Sequence, residues 1–108
     1  MKITVFGLGY VGCVTAASLA DAGHEVIGIE INPEKVDLLR SGRVPFVEPG
    51  LTELLSAQVS SGRLSFETDS GARAPLGEIS LLCVGTPSLH TGQLDTSAVE
   101  AVCKRIAA

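Results

Sequence analysis

The sequence predicts an α/β fold built on a doubly wound parallel sheet, and three observations carry that expectation. Short apolar runs at residues 2–6, 26–31, 64–68 and 79–84 alternate with stretches of helical periodicity. The run at 79–84 reads as continuously apolar, the pattern of a strand covered on both faces. The first run passes directly into Gly7-Leu8-Gly9-Tyr10-Val11-Gly12 and then into a helix of small residues. At 108 residues the chain suffices for one small domain but is short for a complete doubly wound sheet. The sheet is therefore expected to be truncated, with residues 1–108 forming an incomplete domain.

Each element has a local reason. Residues 2–6 are an apolar, β-rich run of strand length, and Gly7 ends it in a turn that needs unusual backbone dihedrals. After the first helix, the apolar strand at 26–31 carries Glu30 near its end. Asn32-Pro33-Glu34 starts a second helix with an N-cap, a proline in the first turn and an acid beside it. That helix runs to Arg40, turns Val36 and Leu39 inward and stops at Gly42. Pro45 and Pro49 exclude regular helix from residues 43–49. From about Gly50 a third helix places Leu51, Leu54, Leu55 and Val59 on one side and ends at Gly62. A short alternating strand follows at 64–68, and a loose helix interrupted by Pro75 is expected at 71–77. Asp95-Thr96-Ser97 caps a last helix. With right-handed crossovers, the strand at 79–84 lies beside the first strand, on the side away from the second.

The glycine run gains its meaning from that setting. Gly9 has no side chain, so a pyrophosphate can approach the main chain, and Gly12 lets the helix pack closely on the strand. The first-turn amides of Tyr10 and Val11 lie outside the helix's own ladder, and the helix dipole adds attraction for an anion. Glu30 stands eighteen residues after Gly12, where a Rossmann-type fold places the carboxylate that accepts from the adenine ribose hydroxyls. Its charge would repel a 2′-phosphate, which favours NAD over NADP as the cofactor. Lys35, one turn into the second helix, has two readings: a contact to the cofactor or a solvated surface lysine. The loop Gly85-Thr86-Pro87 follows the strand beside the first, at the switch point where ligands sit, so all three should line the cofactor crevice and Thr86 is a candidate cofactor contact. The same loop is also explained as a turn fixed by Pro87.

Composition excludes other classes. The net charge is −4 with a pI of about 5.0, no basic stripe is visible, and only four aromatic residues are available, so no nucleic-acid surface is expected. A mean hydropathy of +0.37 with 45% apolar residues suggests that part of the surface meets a partner. Cys13, Cys83 and Cys103 show no paired metal spacing, so no metal site is expected, and an odd count suits reduced, buried thiols in the cytoplasm. Cys13 follows Gly12 at a helix start, where a thiol pKa can fall, but it reads as a packing residue. The amino terminus superficially resembles a signal peptide, yet three glycines at motif spacing break it. No stretch is long enough to span a membrane.

FGLGYVG at 6–12, GHEVIGIE at 23–30, VEPGL at 47–51 and CVGTPS followed by G-Q-L-D at 92–95 resemble the amino-terminal domain of the UDP-glucose/GDP-mannose dehydrogenase family. The resemblance covers the whole chain. Within the family, PFVEPGL, the spacing from GTPS to LD and VEAVCK at 99–104 look closer to GDP-mannose 6-dehydrogenases, since UDP-glucose enzymes more often carry tyrosine at position 47. The resemblance implies oxidation of a nucleotide-sugar primary alcohol to a carboxylate with two NAD, through a cysteine nucleophile supplied by a carboxyl-terminal domain. None of the three cysteines here lies in that nucleophile motif, so no catalytic residue is assigned, and the substrate and carboxyl-terminal domains are expected to be absent from these 108 residues. On the family mapping Tyr10, Val11, Glu30, Lys35 and Thr86 contact the cofactor, with Gly7, Gly9 and Gly12 shaping the loop. Glu30 departs from the more usual aspartate. Glu48 either belongs to a loop framing the active site or is an acid favoured by a helix dipole. The intact enzyme is expected to be a homo-oligomer. The opposing class is a free-standing NAD-binding regulatory module.

Overall fold

A computed structural model describes residues 1–45, 48–68, 76–85 and 88–107. Its elements are β1 (Lys2–Phe6), α1 (Tyr10–Asp21), β2 (Glu25–Ile29), α2 (Pro33–Arg40), α3 (Leu51–Ser61), β3 (Leu64–Glu67), β4 (Ile79–Leu82) and α4 (Ser97–Ala107). The strands form one sheet in the order β3-β2-β1-β4, with every pairing parallel. β4 therefore lies beside β1 and away from β2, as the crossover argument requires. The carboxyl ends of β1 and β4 mark the point where the strand order reverses.

One face of the sheet carries the core. Register aligns Ile3 with Val26 and Val26 with Leu64, and two residues on Val5 with Gly28 and Gly28 with Phe66. Ala16, Ala17 and Ala20 of α1 are fully buried with Leu55 of α3 and Leu39 of α2 in the same cluster. Small side chains on α1 let the helix approach the sheet closely, so tight packing here replaces bulk. Asn32 Oδ1 accepts from the Glu34 amide at 3.0 Å and caps α2, whose first turn holds Pro33, while Val36 and Leu39 face inward.

Several expectations need correction. β4 is shorter than 79–84 and is not covered on both faces: Ile79 is 42% and Leu82 38% exposed. It is the outermost described strand, with only β1 alongside, and α4 buries none of its own residues. The second strand ends at Ile29 rather than 31, because the chain turns at Glu30 and leaves Ile31 82% exposed. Most of the helix expected at 71–77 lies outside the described residues; Leu76 and Gly77 are not helical, and the Gly77 amide donates to Thr4 Oγ1 at 2.7 Å. Of the cysteines expected to be buried, Cys13 is buried, Cys83 half-buried and Cys103 exposed on α4.

Candidate functional site

Backbone geometry at the end of β1 shapes the site. Gly7 has φ +90°, and a Cβ there would lie 2.8 Å from the backbone of Cys83 and Val84, so only glycine fits between β1 and the segment after β4. Its amide donates to the Ile29 carbonyl at 2.9 Å, and the Cys83 amide donates to the Phe6 carbonyl at 2.7 Å. These two bonds tie the turn to both neighbouring strands. Gly12 is buried, and a Cβ on it would collide with the Gly7 carbonyl oxygen. Gly12 thus seats α1 against the turn and does not itself line the cleft. A Cβ on Gly9 would meet nothing within 4 Å, so the open space above the turn reaches bare main chain.

That space is a cleft of about 520 Å³ at the carboxyl ends of the strands, within the roughly 300–1,000 Å³ range usual for small-molecule sites. The turn supplies Gly7, Leu8 and Gly9, and the first turn of α1 supplies Tyr10 and Val11. Glu30 and Ile31 after β2, and Lys35 on α2, form a second wall. Cys83, Val84 and Gly85 after β4 form the third. Ala98, Ala101 and Val102 of α4 close it with a small apolar surface. Of the eight candidate cofactor-site residues, six converge on this cleft together with Gly85 of the switch-point loop, Gly12 lies beneath it, and Thr86 lies outside the described residues, as do Pro87 and Val47.

The charges are arranged for an anion beside a hydroxyl-bearing group. α1 has no acidic residue in its first turn, so its positive end is not spent on a side chain of its own helix. Glu30 accepts from the Leu8 and Asn32 amides, both at 3.1 Å, and Lys35 Nζ stands 3.8 Å from its Oε1. Lys35 is thereby a cleft residue paired with Glu30, rather than a freely solvated one. The Glu48 carboxylate raises the Tyr10 pKa by its charge and by a hydrogen bond to the phenol. A smaller hollow of about 270 Å³ lies between Tyr10, Val14 and residues 48–51. Tyr10 separates it from the main cleft.

None of the described cysteines is poised as a nucleophile. Burial pushes the Cys13 thiol up to about 11, partly opposed by Lys35, and its Sγ donates to the Leu8 carbonyl at 3.4 Å. Burial also raises the Cys83 pKa. Cys13 is the packing residue expected. No group of three or more potential metal ligands occurs among the described residues, and none of their helices is long and apolar enough to cross a membrane.

Two features escaped sequence reasoning. Gly28 makes room for the Leu8 side chain, since a Cβ there would lie 2.9 Å from both Leu8 Cδ2 and Phe66 Cδ1. The α4 wall went unassigned although Ala98, Ala101 and Val102 recur at helical spacing, a signal the sequence does contain.

Known proteins decide the family. A family model described as the NAD binding domain of the UDP-glucose/GDP-mannose dehydrogenase family matches residues 1–108. The chain belongs to this family. It is 46% identical over 106 residues to a GDP-mannose 6-dehydrogenase of Pseudomonas syringae pv. syringae, covering 98% of this chain and 24% of that protein. It is 40% identical to a UDP-glucose 6-dehydrogenase of Rhizobium meliloti, covering 100% of this chain and 25% of that one. The solved ternary complex of a GDP-mannose dehydrogenase from Pseudomonas aeruginosa superimposes with a TM-score of 0.91 at 47% identity, over 98% of this chain and 24% of that one. The chain thus spans about a quarter of the length of the relatives it matches. The family is one of NAD-binding dehydrogenase domains, and the chain has a Rossmann-type sheet.

Proposed function

We propose that residues 1–108 form the NAD-binding portion of a nucleotide-sugar 6-dehydrogenase acting on GDP-mannose in the cytoplasm. The observation that carries this reading is the convergence of the glycine turn, Glu30 and the segment after β4 on one cleft of about 520 Å³. Gly9 admits a pyrophosphate to the main chain, and the start of α1 offers amides and a positive dipole end. Glu30 retains lone pairs beyond its two amide bonds, enough for the ribose hydroxyls. The apolar residues of α4 and Ile31 give the upper cleft an apolar lining. When bound, NAD supplies hydride acceptance; the protein's part here is to hold and orient it.

Oxidising the sugar alcohol to a carboxylate removes four electrons, so it consumes water and two NAD and releases two NADH with protons. GDP-mannose is favoured over UDP-glucose by identity to the respective relatives, 44–47% against 40–42%. The remaining machinery, including the nucleophile, lies outside this cleft. Assays on the complete protein test the reading: two NADH should form per GDP-mannose, while residues 1–108 alone produce none. One NADH per sugar would defeat the 6-dehydrogenase assignment, and turnover confined to UDP-glucose would overturn only the choice of sugar.

A further inference from the structure

The Glu30 carboxylate reaches past the cleft wall into the turn itself. Its Oε1 accepts from the Leu8 amide and its Oε2 from the Asn32 amide, both at 3.1 Å. Lys35 Nζ stands 3.8 Å from the same Oε1, and the Glu30 side chain is only 12% exposed. Leu8 is the middle residue of Gly7-Leu8-Gly9, so this bond runs from the end of β2 to the backbone that faces the cleft. The turn's other ties are the Gly7 amide to Ile29, the Cys83 amide to Phe6, the Cys13 amide and thiol to the Gly9 and Leu8 carbonyls, and the Leu8 side chain, fully buried against Gly28. Those ties set how deep the turn sits and hold its carbonyls; the bond to Glu30 is the one made by the Leu8 amide, and it sets how the peptide between Gly7 and Leu8 is turned.

We propose that Glu30 is a positioning residue for the glycine turn: by holding the Leu8 amide it sets the backbone that receives the diphosphate, independently of any contact with the ribose. This deepens the cofactor reading above and rests on it. The two roles of Glu30 are separable because they predict opposite signs. A carboxylate beside a diphosphate repels it, so loss of charge alone leaves diphosphate affinity unchanged or improved, the more so as Lys35 is released from its ion pair. Loss of the acceptor leaves the Leu8 amide without its partner and the turn free to rotate, which weakens diphosphate binding. The fourfold acceptor capacity of a carboxylate lets one group serve both the turn and a ribose diol.

The test uses the complete protein, with calorimetry of ADP and of 2′,3′-dideoxyadenosine diphosphate, which lacks the ribose hydroxyls. Glu30→Ala should bind the dideoxy ligand about tenfold more weakly than the parent. Glu30→Gln, whose amide oxygen can still accept from Leu8, should stay within about twofold of the parent. Should the alanine variant not fold, Glu30→Met fills the volume without an acceptor and carries the same expectation. Hydrogen exchange at the Leu8 amide, followed without ligand, should accelerate in the alanine or methionine variant and not in the glutamine variant. Dideoxy ligand bound to Glu30→Ala as tightly as to the parent, or Glu30→Gln as weak as Glu30→Ala, would overturn the proposal. Failure of ADP to bind the parent protein at all would instead remove the cofactor reading, and this inference with it.

Discussion

Two glycines of the motif, Gly9 and Gly12, do different work, and substitution separates them. Gly12→Ala places a Cβ against the Gly7 carbonyl oxygen, where only backbone movement can relieve it. It should lower stability by about 1–3 kcal/mol, read as a lower denaturant midpoint. Gly9 has φ −78° and open space at its Cβ, so Gly9→Ala should leave that midpoint within about 0.5 kcal/mol of the parent. The added methyl would project into the cleft, and NAD affinity measured by calorimetry should fall at least about tenfold. Glu30 gives a further residue-scale outcome. Glu30→Ala should cost NAD about 1–3 kcal/mol through lost charge-assisted hydrogen bonds. NADP should gain relative to NAD, because Lys35 then faces a 2′-phosphate without an opposing carboxylate. Equal affinity of the unmutated protein for both cofactors would refute a selective role for Glu30.

At the scale of elements, the caps and periodic faces behave as local chemistry dictates. Asn32 caps α2, and Thr96 with Glu100 brackets the start of α4, where the Thr96 hydroxyl donates to Glu100 Oε1 at 3.2 Å. Burial did not follow periodicity alone. α3 turns Gln58 inward, 4% exposed, because its amide donates to Asp21 Oδ1 at 3.2 Å and its oxygen accepts from Arg63 Nε at 3.0 Å. A polar residue at that position is invisible to a search for apolar spacing; the partners that satisfy it come from α1 and from the turn before β3. β4 carries the element-scale prediction. Its backbone pairs with β1 on one side, while Ile79 and Leu82 remain substantially exposed. Residues 1–108 produced alone should self-associate in dilute buffer, and Ile79→Lys should reduce the associated fraction in analytical ultracentrifugation. A monomer at every accessible concentration would show that this edge is adequately covered.

For the whole molecule, the buried Cys13 thiol links stability to pH. Its pKa rises from an ordinary 9.0 to about 11 in the folded protein, chiefly through burial. The folded state therefore holds the proton more tightly than the unfolded chain does. This contribution is fully present below about pH 9 and is lost as pH rises toward about 11. Unfolding free energy should fall across that window, and a Cys13→Ala variant, though less stable at neutral pH, should fall less steeply. Parallel slopes for the two proteins would show that Cys13 does not titrate as the burial argument requires. At neutral pH a thiol reagent should modify the exposed Cys103 first and leave Cys13 untouched while the protein stays folded.

The sequence by itself determined the strand–turn–helix start, the order of the elements, the placement of β4 beside β1, and six of the residues that meet in the cleft. All but the β4 placement are set by short-range causes: a glycine where φ must be positive, an asparagine where a helix begins, apolar residues at a fixed period; the β4 placement follows from the handedness of the crossovers. Only the tertiary structure decided what each group touches. The Leu8 amide turns to Glu30, twenty-two residues away, and Gly28 yields its side-chain volume to Leu8. β4, expected to be covered on both sides, is half open because burial depends on which elements lie alongside a strand and not on its own hydrophobicity. Partner identity in three dimensions is a long-range property; periodicity records which way a side chain points and leaves undetermined what it meets there.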